Sequence, residues 1–111
     1  MKELKVKCWI EIEGEKLFGP GPSKLLELID QEGSISGAAK LMGMSYKKAW
    51  DLINKLNEKC SEPVVIRQTG GAKGGGALLT DKGRLLIEQY HLLEKKLEQF
   101  SVENQCILEM I

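Results

Sequence analysis

The sequence predicts a mainly α protein with β-hairpins (α+β), in the order hairpin, three helices, hairpin, long helix. Three observations carry this. Apolar and polar residues alternate near the N-terminus, the period of a strand with one buried face. From residue 23 to 58 the apolar residues instead recur every three or four positions, with breaks at Gly33 and Gly43. Beyond a glycine-rich loop, Leu86, Tyr90, Leu93, Leu97 and Phe100 step by four and three alternately, which is a heptad seam.

The elements follow in order. Leu4, Val6, Cys8, Ile10 and Ile12 alternate with Lys5, Lys7, Trp9, Glu11 and Glu13 and predict a strand over that whole stretch. Glu13 to Lys16 reads as a turn and Leu17-Phe18 as a short return strand. "GPGP" at 19–22 ends it, and Ser23 stands at the expected start of a helix with Leu25, Leu28 and Ile29 on one face. Ser34 can cap a second helix, "ISGAAKLM", with Ile35, Ala38, Ala39 and Met42 inward. Ser45 can cap a third, "YKKAWDLINKLNEK", with the stripe Ala49, Leu52, Ile53 and Leu56. "PVVIRQT" and "ALL" flank the glycine loop as two short strands, and Thr80 and Asp81 offer caps for the last helix.

Composition narrows the function. A chain of 111 residues is one domain by size. No apolar run approaches the roughly 18 residues of a membrane span, and the N-terminus lacks a secretory apolar core, so a cytoplasmic protein is expected. Cys8, Cys60 and Cys106 are odd in number and not at ligand spacing, as expected of free thiols in a reducing compartment. The net charge of zero hides a division: residues 45–84 carry 8 basic side chains against 4 acids, whereas residues 85–111 carry 2 against 5. A local basic stretch is the footprint of a polyanion-binding surface, although many such clusters are only solvated faces.

The pair of helices over 35–58 has helix-turn-helix spacing. Ala39 lies four residues before Gly43, where a larger side chain would hold the helices apart, and Gly43 suits a sharp turn. Tyr46, Lys47, Lys48, Trp50, Asp51 and Asn54 fall off the buried stripe, so Lys47, Asp51 and Asn54 would face a DNA major groove. A plain bundle with solvated lysines fits that spacing equally well. The hairpin that follows favours the winged-helix order, with the hairpin beside the recognition helix.

Other chemistries find little support. The loop "RQTGGAKGGGALLT" lacks the lysine and hydroxyl directly after its last glycine that a phosphate-binding P-loop requires, and it precedes a strand. No βαβ unit surrounds it, as a dinucleotide fingerprint would need. A linker would need a second domain to tether. His91, the single histidine, falls inside the long helix beside the seam, where a solvent or interface position is expected. Glu11, Glu13 and Glu15 read as a solvated strand face, and Trp9 and Trp50 as packing residues, with Trp50 flanking the recognition face. No enzyme, cofactor, catalytic residue or metal site is expected.

"GSISGAAKLMGMSYKKAWDLINKLNE" followed by "PVVIRQTGGAKGGGALLTDKGRLLIEQY" resembles the N-terminal DNA-binding domain of ModE-type molybdate-responsive regulators, and more distantly the winged helix of LysR-type regulators. The likeness runs from about Leu4 to about Phe100. It implies a homodimeric winged-helix transcription factor, a palindromic operator near molybdenum transport genes, a recognition helix within Ser45 to Lys55 and a wing from Arg67 to Ala77. Full-length members append a molybdate-binding domain with no counterpart in these residues, so neither molybdate nor metal is expected in this chain.

The resulting expectations are specific. Residues 1–100 form the winged helix-turn-helix with its C-terminal dimerisation helix, and 101–111 an apolar tail. The partners are double-stranded DNA and a second copy, with no membrane. Ser45, Tyr46, Lys47, Lys48 and Asp51 lie nearest the bases, while Lys55, Arg67, Thr69 and Lys73 contact phosphates. Leu86, Tyr90, Leu93, Leu97 and Phe100 form the dimer seam. The rival is a winged helix used only for protein docking or dimerisation.

Overall fold

A computed structural model describes residues 1–68 and 76–111. Its elements are β1 (Ile10–Ile12), β2 (Glu15–Phe18), α1 (Pro20–Glu32), α2 (Ile35–Met42), α3 (Tyr46–Lys59), β3 (Val65–Gln68), β4 (Gly76–Leu79) and α4 (Asp81–Glu103), followed by a 3-10 segment over Gln105–Met110. The strands pair as two separate antiparallel hairpins, β1 with β2 and β3 with β4. The predicted class and element order therefore hold.

The core lies where α1, α2 and α3 meet the inner face of the second hairpin. Leu25, Leu26, Ile29, Ala38, Ala49, Ile53, Leu56 and Val64 are almost fully buried there, joined by Phe18 and Tyr90. Each wholly buried leucine or isoleucine contributes about 1.5–3 kcal/mol by leaving water. Helical periodicity thus selects the packing faces, and α2 supplies small residues where it crosses α3. Between them Gly43 adopts φ 68°, and the Met44 N–H returns to the Ala39 carbonyl at 3.0 Å to close the turn. Ser34, Ser45 and Thr80 cap α2, α3 and α4, accepting from the backbone N–H groups of Gly37, Lys48 and Gly83.

Three boundaries and the setting of one side chain differ from the sequence reading. The strand expected over residues 4–12 is a ladder only from Ile10 to Ile12. Before it, Leu4, Val6 and Cys8 are half-buried while Lys5, Lys7 and Trp9 are exposed. The alternation therefore records an extended chain lying beside a helix: Leu4, Val6 and Cys8 share a groove with Tyr90 and Leu97 of α4. Helix α1 starts at Pro20, not Ser23, because proline suits a first turn whose N–H groups have no helical partner. Ser23 is consequently buried one turn inside, and its hydroxyl has no hydrogen-bond partner among the described residues. Trp9 is not a packing residue; it is 47% exposed, with its indole N–H donated to Glu11 at 2.7 Å and Lys16 over its ring. Helix α4 runs past Phe100 to Glu103, so the tail begins inside the helix and then winds into the 3-10 segment.

Candidate nucleic-acid interface

Helix α3 presents two flanks. On one, Ser45, Lys47, Lys48, Asp51, Leu52 and Lys55 line a shallow concavity. The other carries Tyr46 and Trp50, one turn apart on the same face. Ser45 to Lys48 and Asp51 are exposed, Trp50, Asn54 and Lys55 half-buried. The Ser45 hydroxyl is engaged as a helix cap, accepting the Lys48 N–H at 3.1 Å. The helix N-terminus adds partial positive charge beside Lys47 and Lys48.

The second hairpin lies against the Tyr46–Trp50 flank, and strand parity explains how. Val65 pairs with Leu79 and Arg67 with Ala77. Opposed residues share a face, so Arg67 leaves the sheet on the side where Val65, Ala77 and Leu79 are buried. At the end of that face it meets α3: the guanidinium carbon stands 5.3 Å over the Trp50 ring, and Nη2 donates to the Tyr46 hydroxyl at 3.1 Å. At the other end of α3, Asn57 accepts the Val64 and Val65 N–H groups at 2.8 and 3.3 Å and donates to the Val65 carbonyl at 3.0 Å. The Ala77 N–H ties the hairpin to the Gly33 carbonyl at the end of α1, and the Thr80 N–H closes the hairpin's own open end on the Val64 carbonyl, both at 2.9 Å.

Not every predicted residue is free for a ligand. Lys55 is paired with Glu15 of the first hairpin at 2.8 Å, and this ammonium holds the Glu15 carboxyl below its ordinary 4.5. Thr69 and Lys73 lie outside the described residues. The heptad seam divides. Tyr90, 4% exposed, is no surface residue: its ring meets Phe18 edge-on at 5.3 Å and its hydroxyl donates to the Cys8 carbonyl at 2.8 Å. Burial pushes its pKa up to about 12. Leu86 and Leu97 are half-buried within the same chain. Leu93 and Phe100 stay 42% and 55% exposed, together with Leu85 and Leu92. The period-3.5 pattern was shared between the chain's own N-terminal segment and the outer face of α4.

Sequence reasoning missed Asn57, Glu15 and the contact of Arg67 with α3. Parity of the strand could have supplied the last, since Arg67 follows Val65 by two.

Helix, glycine turn, helix and hairpin, with the hairpin fastened along the second helix of the pair, define a winged helix-turn-helix domain. Residues 23–84 match the bacterial regulatory helix-turn-helix proteins of the LysR family, and the chain belongs to that family. It is 51% identical over 71 residues to the molybdenum transport protein ModE of Azotobacter vinelandii, covering 64% of this chain and 26% of that protein. With the DNA-binding transcriptional dual regulator ModE of Escherichia coli K12 it shares 50% identity over 80 residues, 71% of this chain and 30% of the relative. The molybdenum-pterin-binding protein MopA of Rhodobacter capsulatus is 45% identical over 81 residues, 73% and 31% of the two chains. The chain thus spans between about a quarter and a third of these relatives. The family is one of regulators, not enzymes. No helix among the described residues is long and apolar enough to cross a membrane.

Proposed function

We propose that this chain is the DNA-binding unit of a transcriptional regulator, acting as a homodimer on a palindromic operator of molybdenum transport or metabolism genes. One observation carries the DNA reading: the exposed N-terminal half of α3, with Lys47 and Lys48 beside its cap, stands next to a hairpin held against the same helix. A helix so presented fits a major groove, and lysines at its rim meet phosphates. Ser45, Lys47, Lys48 and Asp51 are the nearest candidates for base edges. Lys73 and Thr69 are proposed for phosphates at the wing.

The homodimer reading is supported by Leu85, Leu92, Leu93 and Phe100, large apolar side chains left exposed on one helix. Two-fold symmetry would set two copies of α3 about one helical turn of DNA, ~34 Å, apart, hence the palindrome. The molybdenum assignment is supported by the names of the relatives. DNA as partner would make the cytoplasm the working compartment.

The test is selection of duplexes from a random pool by the full chain, followed by gel retardation on DNA upstream of molybdate-transport genes. Enrichment of an inverted repeat that recurs in those regions is the expected result. A pool that stays random after repeated rounds would refute DNA recognition and leave the docking role in its place.

A further inference from the structure

We propose that Tyr46 and Trp50 read no bases but hold Arg67, and that the held guanidinium grips a DNA phosphate at the rim of the groove that α3 enters. This rests on the DNA-binding reading above. It also reassigns two of the recognition-helix candidates from contact to positioning.

The geometry has three parts. Arg67 comes from β3, whereas Tyr46 and Trp50 come from the first two turns of α3, so their contact bridges the two elements that would meet DNA. The guanidinium spends one face on the Trp50 ring and one N–H on the Tyr46 hydroxyl. Its opposite face and its other donors are left in the planar fork that matches a phosphate. Among the described residues Arg67 has no carboxylate within ion-pair distance, unlike Lys55, which Glu15 neutralises. A charge held in place but not neutralised suits an anionic ligand.

Trp50 and Tyr46 are poorly placed to read bases directly. Trp50 is half-buried beneath Arg67, and the Tyr46 hydroxyl already accepts from it. Holding Arg67 removes rotamer freedom that would otherwise be lost on binding. Asn57 fastens the same strand at the far end of α3, so hairpin and helix would engage DNA as one body. Trp50 and Tyr46 are positioning residues in this account, and Arg67 is the contact.

The experiment measures affinity by fluorescence anisotropy on the duplex enriched by the wild-type chain, between about 50 and 200 mM salt. Arg67→Ala should lower the log–log salt slope by about 0.9 for each bound protomer, hence about 1.8 for a dimer on its duplex. Trp50→Ala should lower it equally, Trp50→Phe should restore it because a phenyl face also holds a guanidinium, and the Trp50→Ala/Arg67→Ala double variant should lower it no further. Tyr46→Phe should weaken binding without changing which bases are selected. An unaltered slope for Arg67→Ala overturns the inference while the DNA reading stands. A double variant that binds more weakly than Arg67→Ala alone at one salt concentration puts Trp50 on DNA itself and overturns its positioning role, as altered base selection by Tyr46→Phe would for Tyr46. A wild-type chain that enriches no duplex ends the DNA reading and this inference together.

Discussion

Replacing Gly83 by alanine separates tertiary packing from helix propensity, since the two pull in opposite directions. Gly83 lies in the first turn of α4, and an added Cβ would stand 2.4 Å from the Val64 carbonyl oxygen and 2.8 Å from Leu79 Cδ1. Leu79 can turn aside. The Val64 carbonyl is less free, because it accepts the Thr80 N–H at 2.9 Å and the Val64 N–H is bound to Asn57. Reaching ordinary contact at 3.4 Å requires a retreat of about 1 Å, enough to break the bond to Thr80. That bond contributes about 1 kcal/mol, and forced overpacking costs a further 1–3 kcal/mol or so. Alanine returns about 1 kcal/mol of helix propensity. The net loss is about 1–3 kcal/mol, or a melting temperature lower by roughly 4–12 °C for a domain of this size. Thermal melts followed by circular dichroism read this directly. Gly21→Ala in α1 is the control, since its Cβ would meet nothing within 4 Å and should leave the melt unchanged or slightly higher. A Gly83→Ala chain as stable as the wild type would refute the close approach of α4 to the second hairpin.

Three further outcomes follow from the same contacts. Asn57→Ala removes three hydrogen bonds to β3 and its approach and should cost about 2–3 kcal/mol in urea unfolding, with duplex affinity falling as the hairpin loosens from α3. Leu93→Glu puts a charge on an exposed apolar face, so sedimentation equilibrium should report a monomer where the wild type reports a dimer; an undiminished mass would remove this face from the interface. The third concerns pH. His91 bonds to Glu94 at 3.0 Å and to Glu27 of α1, and these carboxylates raise its pKa above 6.5. A raised pKa in the folded chain means that the stabilisation is complete below about pH 6.5 and fades as pH rises through the folded value. With the side chain 52% exposed, the effect stays under about 1 kcal/mol. His91→Gln should flatten the stability–pH curve just above 6.5, and a curve with its slope intact would assign that slope elsewhere.

Local chemistry was legible in the sequence by itself. Ser34, Ser45 and Thr80 cap the helices that follow them, and Gly33 and Gly43 end the helices before them. The stripes on α1, α2 and α3 name the buried core, and the glycine loop falls between two short strands. Caps, turns and periodicities act within one or two turns of chain, so a residue's neighbours suffice to read them. Tertiary structure decided what distant residues do to one another. Residues 4–9 alternate like a strand, yet the surface they half-bury against is a helix that begins some seventy positions later. Tyr90 sits on a perfect heptad but is taken up by Phe18 and the Cys8 carbonyl. Lys55 appears free until Glu15 folds back to it. Arg67 is one basic residue among eight between 45 and 84 until the hairpin docks and lays it on Trp50. A pattern of apolar or charged residues specifies that a face will be covered or a charge met; which partner does so depends on long-range chain closure, and that is set only when the whole core assembles.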